Sequence, residues 1–216
     1  MTKRCLDVVG ALVLLVATAP LLAVAALLIR VTMGRPVLYR QRRAGKDGRI
    51  FVLQKLRTMR AGDGGGGARD GDAATRPPIA ADDARLTVLG RRLRALSIDE
   101  LPQLWHVLCG EMSLVGPRPL LPEYLARYSP TQASRHAVRP GLTGLAQVRG
   151  RNALSWSEKL ALDVAYVERR SLGLDLWILW RTLLIVLRRD GIAAPGTATM
   201  PEFLGDDAKG DACATS

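Results

Sequence analysis

Cysteine is nearly missing from this 216-residue chain: Cys5, Cys109 and Cys213 are too few and too scattered for a disulfide framework, which points to a reducing compartment. Aromatics are scarce at 5%, with two Phe and four Tyr, so the stacking platforms that read nucleic acid have little to be built from. His106 and His136 are the two histidines and lack ligand spacing, which leaves a histidine-based metallohydrolase without its parts. Lysine is rare too. Of 31 basic residues, 26 are Arg and 5 are Lys, a balance that suits bidentate grip on phosphates but also arises from genomic base composition.

At 48% hydrophobic and 24% charged, the chain is neither disordered overall nor a multi-span membrane protein, and its length suits one domain with appendages. The net charge of +11 is unevenly spread. Residues 61–84 and 197–216 each carry −3, which leaves +17 on the remainder. Such a body is drawn to an anionic partner: nucleic acid, an acidic lipid surface or a phosphorylated small molecule.

From Val8 to Ile29 run 22 uncharged residues, about 33 Å long as a helix, which is membrane length. A cleavable secretory signal fits less well, because the apolar run continues past Ala17-Thr18-Ala19 and its far end is strongly basic. Lys3 and Arg4 precede the run, and Arg30, Arg35, Arg40, Arg42 and Arg43 follow it, whereas the positive-inside bias favours one end of a spanning helix. Pro20 divides the run into halves too short to cross a bilayer. Charge and proline together predict a re-entrant hairpin with both ends on the cytoplasmic side.

Val37–Tyr39 and Ile50–Leu53 flank the turn signal Ala44-Gly45-Lys46-Asp47-Gly48 and predict a β-hairpin. Residues 61–84, with six glycines and Pro77-Pro78, read as a mobile loop, and Gly62–Gly67 fits G-x-G-x-x-G without the strand and helix a dinucleotide site needs. Leu86, Leu89, Leu93 and Leu96 recur at helical spacing beside Arg85, Arg91, Arg92 and Arg94, which predicts an amphipathic helix with a basic side. Leu176–Leu187, with Trp177 and Trp180, is too short to span and predicts a helix either buried or lying at the lipid surface.

Ser97-Ile98-Asp99-Glu100-Leu101-Pro102-Gln103 opens a second apolar-periodic segment carrying Leu104, Trp105 and Leu108. Ser97 and Glu100 fit capping-box spacing, while Pro102 suits the first turn after an Asp99 cap, so the helix starts at either residue. Both starts put adjacent carboxylates at the positive end of a helix, where the ionised form that a nucleophile or metal ligand needs is favoured. Helix capping is the ordinary role of acids there. Downstream, Gly116-Pro117-Arg118-Pro119 fixes one Arg between prolines, and Arg139-Pro140-Gly141 is a second rigid turn followed by a strand bearing Gln147.

These segments resemble the monotopic bacterial sugar transferases, the polyprenyl-phosphate phosphoglycosyl transferases. The resemblance covers Lys3–Met59, Ser97–Pro119, Arg139–Asn152 and Lys159–Arg189. It implies an α+β, mainly helical, monotopic membrane protein with an N-terminal re-entrant hairpin, amphipathic interfacial helices and short β-strands. Residues 1–36 would form the hairpin, 37–196 a catalytic domain at the cytoplasmic face of the bacterial inner membrane, and 197–216 a flexible tail. The implied reaction moves a sugar-1-phosphate from a UDP-sugar to polyprenyl phosphate in two steps, releasing UMP through a phosphosugar adduct on Asp99.

Mg²⁺ is the implied cofactor, with Asp99 and Glu100 as its ligands, Glu100 serving either metal binding or proton handling. Arg94 and Arg118 match phosphate-engaging positions, and Asp163 matches an acidic one near metal and substrate, with a helix-surface salt bridge as its competing role. Lys55, Arg57, Arg139 and Gln147 are further candidates for substrate contact, each also open to a structural role. The chain departs from the family pattern at Ala19, where Ser commonly precedes the proline, and at Leu145, where an aromatic is often found. Membrane lipid is an implied partner and nucleic acid is not. The sugar, the pathway and the oligomeric state, a homodimer included, stay open, and the rival class is a non-enzymatic membrane-anchored module that binds anionic lipid or nucleic acid.

Overall fold

A computed structural model describes residues 2–60, 85–150, 153–188 and 202–205. The predicted loop 61–84, with its glycine motif, lies outside these residues, as does most of 197–216.

The apolar run forms one long helix, α1 (Thr2–Met33), with Pro20 inside it. Pro20 leaves the Val16 carbonyl without its helical donor. The Thr18 hydroxyl donates to the Leu14 carbonyl, 2.7 Å away, which is the ordinary back-bond of a helical Thr and does not replace the lost donor. Asp7 and Ala11 are buried towards one end and Ala25 and Ile29 towards the other, while Leu12, Val13, Leu14, Val16, Leu21 and Val24 stay exposed. Both ends therefore pack on one and the same domain, and most of the apolar surface between them faces outward.

The N-terminal end is tied by a polar network. Lys3 Nζ lies 2.6 Å from Asp175 and 3.3 Å from the Val115 carbonyl, and Arg4 donates to the carbonyls of Val107 and Leu108. Asp7, buried just before the apolar run, accepts from the Ser113 hydroxyl and the Leu114 amide at 2.9–3.0 Å. A buried carboxylate without such donors would be strongly unfavourable.

The predicted hairpin is present: β1 (Leu38–Ala44) pairs antiparallel with β2 (Ile50–Leu56), from Leu38 opposite Leu56 to Ala44 opposite Ile50. At its tip Asp47 adopts a left-handed conformation (φ 55°) and Gly48 follows at φ 72°. The basic amphipathic helix is α2 (Val88–Ala95), capped by the Thr87 hydroxyl on the Gly90 amide. Leu93 is buried, whereas Leu96 lies beyond the helix and is 37% exposed. A Cβ on Gly90 would sit 1.9 Å from the Thr58 carbonyl, so glycine there lets α2 lie directly on the strand exit.

The next segment departs from the expected helix. Ile98–Gln103 is a 3₁₀ turn, and α-helix begins only at α3 (Leu104–Cys109). Ser97, left-handed at φ 54°, makes no side-chain cap, so the capping box does not form. Leu104 is fully buried, but Trp105 is exposed.

After α3, β3 (Ser113–Val115) pairs in parallel with β4 (Gly141–Thr143), and a Cβ on Gly141 would stand 2.1 Å from the Gly116 amide nitrogen. Between them lie a 3₁₀ turn (Pro122–Arg127), α4 (Pro130–Ala133) and a second 3₁₀ turn (Ser134–Ala137). Gln147 lies on the short helix α5 (Leu145–Arg149) and not on a strand. The chain continues through α6 (Trp156–Arg169), begun by a Ser155/Glu158 capping box, and α7 (Leu172–Arg188).

The main core gathers Phe51, Leu53, Leu104, Val107, Met112 and Tyr166 with Ala11 and Ile178. One face of α7 enters it through Ile178. Its other face leaves Leu172, Leu176, Trp180, Leu183 and Leu187 exposed in a single stripe. Exposed apolar surface of this extent, on α1 and α7 together, fits a lipid environment rather than water.

Candidate active site

Five of the residues singled out in the sequence converge. Lys55 alternates with Phe51 and Leu53 along β2 and so points to the inner face, over the ring of its cross-strand partner Tyr39 at 5.2 Å. Burial, with Arg94 alongside, lowers its pKa to about 8. Arg94 donates from Nε to the Thr58 hydroxyl at 3.0 Å, where the close seat of α2 on the strand exit brings it. Asp99 and Glu100 open the 3₁₀ turn, Asp99 buried and Glu100 half-buried. Arg118, fixed between its prolines, reaches both Glu100 oxygens in a fork, with Nη2 2.5 Å from Oε1.

Desolvation raises Asp99 most, and the adjacent Glu100 raises it further, to about 6. The cations Lys55, Arg94 and Arg118 pull the other way without cancelling this. The helix-end stabilisation expected for the dyad is therefore outweighed by burial, although a group of that pKa is still about nine-tenths ionised at pH 7.

Three of the five members of the cluster have a chain neighbour seated against α1. Leu56 beside Lys55, Leu93 beside Arg94 and Ile98 beside Asp99 pack with Ala25 and Ile29 of the apolar helix. Through these three residues the charged cluster borders the element whose outer face is open apolar surface.

The other predicted site residues lie elsewhere. Arg57 is buried and donates to the carbonyls of Met33, Gly34 and Arg35, tying the end of α1 to the hairpin. Arg139 donates from Nε to the Gly110 carbonyl at 2.7 Å. Gln147 is half-buried, with both polar atoms of its amide lacking a partner among the described residues. Asp163 is buried against Arg135, at 2.7 Å from Nη2 and 3.1 Å from Nε, which is a buried ion pair and not the surface salt bridge weighed for it. Leu145, where the family often has an aromatic, packs on the main core.

Two basic residues at the site escaped the sequence reading. Arg43 lies close enough to Lys55 to help lower its pKa. Arg135, 2% exposed, donates to the Arg118 carbonyl at 2.7 Å and so holds the Pro-Arg-Pro loop from behind. The run of basic residues around Arg43 reads only as a flanking charge, and nothing near Arg135 in sequence signals burial.

The cluster can accept a diphosphate. Lys55, Arg94 and Arg118 surround two carboxylates, and a planar fork and a compact ammonium are the usual phosphate grips. Among the described residues no three His, Cys, Asp or Glu side chains group into a metal cage. The donor set nonetheless fits Mg²⁺, which typically binds one or two carboxylates and takes its other ligands from water and substrate phosphates.

Over 203 residues, 94% of this chain and 96% of the relative, the sequence is 45% identical to an uncharacterized sugar transferase, EpsL, of Bacillus subtilis. It is 45% identical over 197 residues to the UDP-glucose:undecaprenyl-phosphate glucose-1-phosphate transferase of Caulobacter vibrioides, covering 86% of this chain and 67% of that one. The undecaprenyl-phosphate galactose phosphotransferase of Salmonella typhimurium is 38% identical over 205 residues, 88% of this chain but 41% of that longer protein. The family model for bacterial sugar transferases matches residues 1–189, which contain the whole charged cluster and both apolar helices. On that coverage, the chain belongs to the bacterial sugar transferase family.

Proposed function

We propose that the protein transfers a sugar-1-phosphate from a UDP-sugar to polyprenyl phosphate at the bacterial inner membrane, with the catalytic domain at the cytoplasmic face. The observation that carries this reading is the charged cluster around Asp99, whose members Lys55, Arg94 and Asp99 each adjoin a residue packed on α1: one substrate is a soluble dianion and the other carries its phosphate at a lipid surface. Relatives named for transfer to undecaprenyl phosphate support the acceptor class.

In this mechanism an Asp99 carboxylate oxygen attacks the sugar-bearing phosphorus, the bond from that phosphorus to the UMP oxygen breaks, and UMP leaves. A polyprenyl phosphate oxygen then attacks the same phosphorus and displaces the Asp99 carboxylate, giving a polyprenyl diphosphate sugar. Arg118 and Arg94 hold phosphate oxygens, and Lys55 offsets charge on the departing group. Asp99 and Glu100 would hold Mg²⁺, which neutralises charge on the diphosphate when bound. Glu100, gripped by Arg118, keeps the guanidinium aimed at the dyad.

The experiment is UMP release from a panel of UDP-sugars by membrane fractions. Release is expected only with polyprenyl phosphate and Mg²⁺ present beyond the first turnover. Salt-sensitive nucleic-acid or lipid binding with no UMP from any donor would contradict it.

The same reading makes α1 re-entrant, since both ends of the helix bind one domain and basic residues flank both ends. Cys5, exposed near the N-terminus, is a natural probe. In a Cys109→Ser, Cys213→Ser background, an impermeant maleimide is expected to label Cys5 after permeabilisation and not in intact cells. Strong labelling of intact cells would mean a spanning anchor.

A further inference from the structure

The segment 202–205 lies within the expected free tail, yet Phe203 is 3% exposed. Its ring stacks on Tyr128 (5.7 Å between centroids, 27° between planes) and contacts Tyr124 and Trp156 at 5.6 and 5.5 Å. The backbone is fixed as well: the Phe203 amide donates to the Tyr124 hydroxyl, and Arg127 donates to the Phe203 carbonyl and pairs with Glu202 at 2.7 Å. This is a built receptor for one aromatic side chain, which reaches it from a part of the chain far from every residue of the site.

What lies beneath the receptor gives it a consequence. Tyr128 is also covered by the Arg135 guanidinium, 5.7 Å from its ring, and its hydroxyl accepts from Arg135 Nη1 at 3.4 Å. Arg135 in turn holds the Arg118 carbonyl at 2.7 Å, and Arg118 grips Glu100. A contiguous packed path thus runs from Phe203 through Tyr128 and Arg135 to the loop that carries the phosphate-binding arginine.

We propose that Phe203 is a positioning residue: the docked C-terminal segment fixes Tyr128 and Arg135 and thereby sets Arg118 for the donor diphosphate. The role given to Arg118 rests on the function proposed above. Aromatic contacts of this kind are individually modest, and a terminal segment releases locally rather than with the whole domain. Loss of the ring therefore frees the Arg118 loop while the core stays folded, and a catalytic group displaced by a fraction of an ångström loses rate steeply.

The test compares full-length wild type with Phe203→Ala, Phe203→Trp and, as a neighbouring control, Leu204→Ala, whose side chain is exposed. Hydrogen exchange is followed at residues 116–121 alongside the donor KM and kcat for UMP release. Phe203→Ala is expected to raise amide exchange at 116–121 at least about threefold and lower kcat/KM about tenfold, mainly through KM, with the thermal midpoint nearly unchanged. Phe203→Trp recovers most of this, and Leu204→Ala matches wild type. Unchanged exchange at 116–121 in Phe203→Ala overturns the proposal, as does a loss of rate that merely follows a fall in the thermal midpoint. If wild type releases no UMP the function reading fails, and the exchange arm still decides whether the tail holds the loop.

Discussion

Asp99→Asn is expected to abolish UMP release and, in the same protein, to raise stability. The loss follows from the role proposed for the carboxylate: an amide cannot form the bond to phosphorus, and removing a nucleophile lowers kcat by at least about 10³-fold. The gain follows from burial. Asp99 has its pKa raised from 3.8 to about 6, so the folded state binds its proton more tightly than the unfolded chain does. Stability from this group is fullest below the unfolded value and declines as pH rises through 6; above that the buried charge costs of the order of 3 kcal/mol. Asn is neutral throughout. The variant should melt several degrees higher than wild type at pH 7.5, with the advantage shrinking towards pH 4. Inactivity with a lowered midpoint would signal misfolding rather than lost chemistry.

On the proposed mechanism, Asp99 and Lys55 are expected to set the pH profile of the wild-type enzyme. As pH falls through about 6, Asp99 takes up its proton and kcat/KM drops towards tenfold per unit; as pH rises through about 8, Lys55 loses its charge and donor binding weakens. A profile flat from pH 5 to 9 would contradict both assignments.

The second large effect is expected at Asp163, and it separates two readings of that residue. Its carboxylate is buried against Arg135, and Arg135 is itself 2% exposed. Asp163→Ala leaves that guanidinium without its counter-charge in the interior, at a cost of about 3–5 kcal/mol, enough to lower the thermal midpoint by roughly 6–20 degrees. A substrate or metal contact would behave in the opposite way, with lost turnover and little change in folding. The double substitution Arg135→Met, Asp163→Leu removes both charges and should recover much of the stability, since a buried pair and its apolar replacement are often close in energy. It should not recover activity, because Arg118 loses the donor that holds its carbonyl.

Local features were legible in the sequence and long-range ones were not. The hairpin could be read because Gly45–Gly48 marks its turn and apolar residues flank it. The dyad and the Pro-Arg-Pro loop could be found because each is a contiguous run whose chemistry is visible in its residue types. Partners far apart leave no such mark: Lys3 and Asp175 are 172 residues apart, and Arg135 and Asp163 are 28 apart. Periodicity shows which face is buried but not what meets it. Asp7 therefore reads only as a polar residue at the margin of the apolar run, although it accepts from the Ser113 hydroxyl and the Leu114 amide of β3.

Short elements misled for a related reason. Leu145–Arg149 spans little more than one helical turn, too brief for a 3.6-residue period to stand out from a strand's alternation, so Gln147 was expected on a strand. At Ser97 the sequence fits a capping box, but the residue takes a left-handed conformation and the chain tightens into a 3₁₀ turn. That geometry brings Asp99 inward, and with burial comes the raised pKa that no sequence pattern reports.

The central claim, a covalent bond between Asp99 and the sugar-bearing phosphorus, is tested most directly by incubating purified protein with a UDP-sugar substrate and Mg²⁺ in the absence of polyprenyl phosphate, then mapping modified peptides by mass spectrometry after an acid quench. The expected result is one sugar-phosphate mass added to the peptide containing Asp99, formed together with a single-turnover burst of UMP and discharged when polyprenyl phosphate is added. Steady turnover with acceptor present, but neither burst nor adduct without it, would contradict the account.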